Sequence, residues 1–237
     1  MSTSLPAYNR GVVRPVVCLQ TGWGLIKNQY WLFLGITLVG VLIGSLGPMA
    51  LLLGPMMCGI YLCLFAHFRG QPVTFELLFK GFDYFVQGLI ATLIQVIPIS
   101  LLLLPIYAIF FIRFMGLMSA PRVRTRGAPV DPSEMYSMFL AMGGMVLVVI
   151  FISTLVGAFF IFTYPLIVDR KLKALDAVRT SFKAVMANLG GVLGLMGLNM
   201  VLGVIGLIFC YVGAILLMPV SFAGWAVAYR QVFPEQS

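Results

Sequence analysis

YWLFLGITLVGVLIGSLGPMALLLGPMMCGIYLCLFAHF, residues 30–68, contains no Lys, Arg, Asp or Glu. It divides into two apolar segments, Tyr30–Gly47 and Met49–Phe68, whose one readily ionised group is His67 near an end. A helix that crosses a hydrocarbon core of about 30 Å needs about 20 such residues, so this stretch reads as a transmembrane hairpin. The rest of the chain follows suit. Further apolar segments occupy Tyr84–Ile112, Tyr136–Val168, Leu189–Phe209 and Tyr211–Tyr229. Over 237 residues, 61% are hydrophobic and 9% charged, with a mean hydropathy of +1.06. A soluble domain carries roughly 25% charged residues. The fold class expected is therefore all-α: a polytopic membrane bundle of about six transmembrane helices, forming a single integral membrane domain over residues 1–237.

The two middle segments are too long for a simple crossing. At 1.5 Å per residue they would extend about 44 and 50 Å, so they must tilt, kink or project into water. Pro98, Pro105 and Pro165 are the kink sites the sequence offers. The first thirty residues hold no uninterrupted apolar run, so the first span is expected to insert directly and to stay.

Fifteen Lys and Arg against seven Asp and Glu give a net charge of +8. The cations sit in short runs between apolar segments, a pattern of topology determinants and anionic-lipid contacts. No nucleic-acid reader motif accompanies them, and nucleic acid is not expected as a partner. With both termini cytoplasmic, most cations fall inside. Arg113, Arg122, Arg124 and Arg126, around the polar loop 119–134, fall outside against the positive-inside rule.

An internal repeat underlies the segments. Shifted by 159 positions, Val16–Gly47 lies over Leu175–Gly206, and Gly35, Gly44 and Gly47 meet Gly194, Gly203 and Gly206. Val16, Leu19, Trp23 and Ile26 share the phase of Leu175, Val178, Phe182 and Val185, which form one face of a helix. Phe75, Phe79 and Phe82 repeat the later part of that spacing, Phe79 matching Phe182. The units expected are about 15–70, 72–118 and 169–232, each opening with a short amphipathic interfacial helix before a hairpin. On the helix expected over Asp169–Asn188, Asp169 is placed to N-cap, and Lys173, Asp176, Thr180 and Lys183 form the face toward water.

Lys27, Lys80, Arg170, Lys171, Lys173 and Lys183 are the candidate contacts to lipid headgroups, and anionic membrane lipids the partners they imply. Gly40 with Gly44, and Gly190 with Gly194, are small-xxx-small pairs suited to close helix packing. Gln95 and Asn199 are the polar residues in mid-span, placed either to bond neighbouring helices or to line a solute path. Enzyme motifs are missing: no His-Glu-x-x-His, no phosphate-binding glycine loop, no pair of intramembrane aspartates. One histidine and four scattered cysteines offer no zinc site, and no cofactor is expected. The functions left open are a non-catalytic accessory subunit of a membrane complex or lipid-organising protein, and a channel or transporter for a small or hydrophobic solute.

Several short motifs carry a resemblance. Gly22-Trp23 with Lys27 and Trp31, Gly54-Pro55, Arg69-Gly70-Gln71 and Leu78-Phe79-Lys80-Gly81-Phe82 resemble a family of uncharacterised bacterial integral membrane proteins. Asp169–Ala177, followed by Ser181-Phe182-Lys183, is similar to the last third of related domains of unknown function. The resemblance implies a bacterial inner membrane and supplies no activity.

Overall fold

The computed structural model describes residues 6–46, 51–119, 132–208 and 212–235, and every regular element among them is helical. Ten α-helices follow one another: α1 Pro15–Ile26, α2 Tyr30–Leu46, α3 Leu53–Phe68, α4 Phe75–Phe79, α5 Phe85–Ser119, α6 Pro132–Phe159, α7 Thr163–Arg170, α8 Ala174–Ala187, α9 Leu189–Ile208 and α10 Val212–Val232. Short 3-10 turns join α1 to α2 and α4 to α5. Of the loop 119–134, residues 120–131 lie outside the described residues, as does Cys210.

Among the described residues, five stretches are long and apolar enough to cross a membrane: Pro15–Leu46, Phe75–Ile112, Phe139–Asp169, Leu189–Gly206 and Val212–Val232. The sixth expected span is shorter. Leu53–Phe68 has 16 residues, about 24 Å of helix, and eleven of them are buried in protein. A helix sheathed by its neighbours need not match the bilayer thickness by itself, because the protein around it supplies the apolar surroundings. In α5, Pro98 and Pro105 both sit inside one continuous helix. Ahead of Pro165 the chain does break, at the turn Phe160–Phe162 between α6 and α7.

The chain divides into two units, one of residues up to Ile94 and from Ala158 onward, the other Gln95–Gly157. The first has a dense core in which Phe33, Ile60, Leu64, Phe65, Phe162, Leu166, Tyr229 and Phe233 are almost fully buried. Small residues bring its helices together. A side chain on Gly59 would meet the Leu78 carbonyl oxygen at 2.1 Å, and one on Gly81 the Pro55 carbonyl oxygen at 2.2 Å. Gly54 and Gly88 touch backbone to backbone in the same way. These contacts are closed to any larger residue.

A regular pattern runs through this unit. Gly22 of α1 lies against Ala223 and Gly224 of α10. Gly81, in the turn after α4, lies against Pro55 and Gly59 of α3. Ser181 of α8 donates to the Phe159 carbonyl at 2.7 Å and accepts from the Phe162 N–H at 3.2 Å, at the α6–α7 turn. Each short helix thus packs on the element that ends the preceding hairpin, and the first closes on the last. In all three cases an aromatic residue follows the small one and is exposed: Trp23, Phe82 and Phe182. This geometry puts Phe82, rather than Phe79, in the position of Trp23 and Phe182.

The amphipathic stripe expected from the sequence is divided between two surroundings. Val16, Trp23, Leu175 and Phe182 face out, whereas Ile26 and Val185 are buried in the core. Thr180, expected on the water-facing side of α8, is 1% exposed, its hydroxyl oxygen buried without a hydrogen-bond partner. The expectation fails because α8 has a third side, pressed against protein, which a two-sided reading of its periodicity omits.

The second unit contains the later part of α5 and α6 as far as Gly157. Its large side chains are mostly exposed; Leu101, Ile112, Leu147 and Phe151 are each between 67% and 69% accessible. Gly143 and Gly144 of α6 have, among the described residues, no neighbour within 4 Å of where a side chain would begin.

Candidate functional site

Three helices of the first unit end in arginine. Arg69 follows the last residue of α3, Arg170 is the last residue of α7, and Arg230 lies in the last turn of α10. The carbonyls left unpaired at a helix C-terminus give it a partial negative charge, so cations are favoured there. Asp169, one residue from the end of α7, is at the wrong end of its helix by the same argument, and its side chain is only 5% exposed. It is held by what surrounds it. Arg69 Nη2 donates to Asp169 Oδ1 at 2.7 Å, and Tyr229 donates its hydroxyl to Oδ2 at 2.9 Å. Arg230 Nη2 stands 3.3 Å from Oδ1 and Arg170 Nε 3.4 Å from Oδ2. A buried carboxylate with one partner removed is strongly destabilising; with three guanidiniums and a phenol around it, its charge is compensated.

The tail after α10 completes the cluster. The Glu235 carboxylate lies 3.2 Å from Arg69 Nε and 2.9 Å from Arg230 Nη2. Arg170 Nη2 donates to the Pro234 carbonyl. Between these groups is an open depression of about 380 Å³ lined by Arg69, Asp169, Arg170, Arg230 and Glu235. The Arg230 guanidinium lies over the Phe65 ring, 4.7 Å from its centre, a cation–π contact that occupies the face of the group and leaves its N–H edges free. Both Arg230 Nη atoms are buried and without an aligned hydrogen bond, although Nη2 is within ion-pair distance of two carboxylates.

These ends are also tied by neutral side chains. Asn188, 3% exposed, accepts from the Val12 N–H and donates to the carbonyls of Asn9 and Ala184. Gln231 accepts from the Arg14 N–H at 3.2 Å, and the Asn9 N–H reaches the Val232 carbonyl at 2.9 Å. The segment before α1 is thereby fixed to the ends of α8 and α10. Gln87 caps α8 by accepting from the Ala174 N–H at 2.8 Å.

This overturns one assignment made from the sequence. Asp169 is no N-cap: α8 begins at Ala174, four residues after α7 ends. Between them Lys171 takes a left-handed backbone conformation, φ 51°. Arg170, expected at a lipid headgroup, is half-buried and turned toward Asp169 and Pro234. The other candidate headgroup contacts, Lys27, Lys80, Lys171, Lys173 and Lys183, are all exposed.

The packing glycines fare unequally. A side chain begun at Gly40 would lie 3.0 Å from Ile60 and one begun at Gly44 3.2 Å from Leu53, so both glycines bring α2 onto α3. One begun at Gly194 would lie 2.8 Å from Pro15. A side chain begun at Gly190 would have no neighbour within 4 Å among the described residues, whereas one begun at its neighbour Gly191 would run into the Val13 carbonyl, so the close approach there belongs to Gly191. In mid-span, the Asn199 amide donates to the Leu195 carbonyl of its own helix at 2.8 Å, and its side-chain oxygen is buried without a partner. Gln95, on α5, has its amide nitrogen 3.8 Å from where a side chain on Gly157 would begin. Sequence reasoning missed the cluster around Asp169. The available signal was a set of arginines just past apolar segments, at 69, 170 and 230.

Among the described residues no group of three or more His, Cys, Asp or Glu is placed to hold a metal ion, and Cys18, Cys58 and Cys63 are buried, unpaired thiols. Comparison of the chain with known protein families, with curated proteins and with solved structures finds no match.

Proposed function

We propose that this protein is a non-catalytic integral membrane protein that organises anionic lipid, in a bacterial inner membrane with six crossings and both termini cytoplasmic. The observation that carries the reading is the outer surface of the short helices. Trp23, Phe82 and Phe182 are exposed, and Lys27, Lys80 and Lys183 are exposed within four residues of them in sequence. Aromatic rings beside free ammonium groups suit the boundary between acyl chains and headgroups, where each cation near an anionic surface contributes about 1 kcal/mol. The bacterial location rests on the motif resemblance alone. An accessory role in a larger membrane complex uses the same surface.

Duplication of one unit supports this architecture. α1 and α8 begin at Pro15 and Ala174, α2 and α9 at Tyr30 and Leu189, α3 and α10 at Leu53 and Val212. Every pair is offset by the 159 positions at which the sequence overlays itself. A solute path is less well supported, because Asn199 spends its amide on its own helix and the core of the first unit is filled by large apolar side chains.

The test is lipid retention. The full chain, extracted with native lipid or reconstituted in nanodiscs of mixed neutral and anionic lipid, should enrich anionic lipid, as read by mass spectrometry. Combined replacement of Lys80, Lys173 and Lys183 by Gln should remove most of the enrichment. An unmodified protein that samples lipid at the bulk ratio would refute the proposal.

A further inference from the structure

The cluster at the ends of α3, α7 and α10 has more donor capacity than its own chain uses. We propose that it is an oxyanion site for a phosphate group, in which Arg69, Arg170 and Arg230 are the ligands and the Pro234-Glu235 tail is a built-in competitor occupying the ligand's place. The site extends the lipid reading above without depending on it, since both lipid headgroups and soluble molecules carry phosphate.

Charge gives the first argument. Three guanidiniums face two carboxylates, Asp169 and Glu235. The two carboxylates are not equivalent. Asp169 is buried and anchored by Tyr229 within the helix ends. Glu235 belongs to the tail beyond α10, and its side chain is 58% exposed. Lifting the tail leaves three cations against one fixed anion, around an open depression of about 380 Å³. Guanidiniums in this arrangement suit a planar or tetrahedral oxyanion, which can accept from several N–H edges at once.

Hydrogen bonding gives the second. The tail meets one donor on each arginine: Arg69 Nε and Arg230 Nη2 through the Glu235 carboxylate, and Arg170 Nη2 through the Pro234 carbonyl. The fit is incomplete. Arg230 Nη2 and Arg170 Nε stand within ion-pair distance of carboxylates but, like Arg230 Nη1, are buried and make no aligned hydrogen bond among the described residues. Buried charged donors left in this state cost free energy, and native structures seldom leave them so. Phe65 stacks on the face of Arg230, so only an acceptor in the plane of the guanidinium can satisfy those atoms. Glu235 offers two oxygens from one direction; a phosphate offers three or four around a tetrahedron. Phosphate can therefore give aligned bonds to donors that the present carboxylates meet by charge alone.

The experiment uses the full chain in neutral-lipid nanodiscs, with unfolding temperature and native mass spectrometry as readouts. One arm adds inorganic phosphate or glycerol phosphate, against chloride at equal ionic strength. The other replaces a fraction of the neutral lipid with phosphatidate. Glu235→Gln removes the competitor's charge and should raise affinity about two- to fivefold, the range that corresponds to one exposed ion pair. Arg69→Gln should lower it at least fivefold. The lysine-to-glutamine variant described above should retain binding at this site even where bulk anionic-lipid enrichment is lost. Binding in the soluble arm alone identifies a soluble phosphate compound, and binding in the lipid arm alone identifies a headgroup; either sustains the site. If neither arm binds, if chloride does as well as phosphate, or if Glu235→Gln leaves affinity unchanged, the cluster is only a latch for the tail. Glu235→Gln touches an exposed residue, so this outcome can be read even if Arg69→Gln fails to fold.

Discussion

The surroundings of α3 and the pair of helices over Gln95–Gly157 are written in the same alphabet of Leu, Ile, Phe, Met and Gly. In the first, eleven of sixteen residues of α3 are buried by protein. In the second, side chains as large as Phe151 and Leu147 stand exposed. Apolar content cannot be the difference. Around α3, Gly54, Gly59, Gly81 and Gly88 each sit against a neighbouring backbone, whereas Gly143 and Gly144 have no close neighbour among the described residues. Lipid is as apolar as leucine, so hydrophobicity places both regions in the membrane without pressing helices together. Close approach at small residues, and polar bonds at the helix ends, decide which helices touch.

The sharpest way to break that contrast is to fill the glycines. Gly81→Leu should abolish folding, because the new side chain would enter the Pro55 carbonyl and Gly59 backbone. Gly144→Leu should change thermal stability in detergent by less than about 1 kcal/mol. Monodispersity and melting temperature of the two purified variants measure both. Equal outcomes would dissolve the distinction between the regions.

Next in size is Asp169→Asn, which leaves three arginines without their buried counter-charge. It should cost about 3 kcal/mol, read by thermal or denaturant unfolding, while Asp176→Asn on the partly exposed side of α8 should stay within about 0.5 kcal/mol of the parent.

Residues on opposite sides of α8 sharpen the comparison further. Thr180→Asp should destabilise by about 2–3 kcal/mol in any solvent, since it buries an unpaired charge or acid. Thr180→Val removes an unpartnered hydroxyl and should be neutral or slightly stabilising. Phe182→Asp should do little in detergent and instead lower thermal stability and anionic-lipid retention in a bilayer, because that ring faces outward. The smallest effect is expected at Lys171, where glycine accommodates the left-handed backbone and should stabilise by up to about 1 kcal/mol.

How much of this was legible beforehand follows from the range of each interaction. Membrane helices are written locally, in runs of twenty residues, and the starts of α1, α2 and α3 precede those of α8, α9 and α10 by 159 positions each. The ion cluster is not local. Asp169 pairs with Arg69, 100 positions away, and with Tyr229, 60 positions away, and one sequence holds no mark of such pairs. Asp169 was misread as an N-cap because an acidic residue ahead of a periodic stretch is the usual start signal. The signal was overruled by Lys171, whose left-handed turn no side-chain preference announces. Thr180 was misread for a different reason: a threonine among charged residues looks wet, and only the neighbouring helix makes it dry.

The closure of α1 on α10 has a bearing on how the protein is made. Gly22 leaves the ribosome just over two hundred residues before the Ala223-Gly224 step it packs against, and the Asn9–Val232 bond links points still further apart. The earliest hairpin must therefore enter the bilayer with one flank undocked and wait for the latest. Loop-closure entropy makes such long-range docking slow, and a flank left open during that interval is open to misassembly. A chain arrested before α10 would keep both of its hairpins but lack the strap that fastens its beginning. Such nascent chains should be held by membrane chaperones and cleared by proteases, whereas removal of Pro234 onward should leave the strap in place.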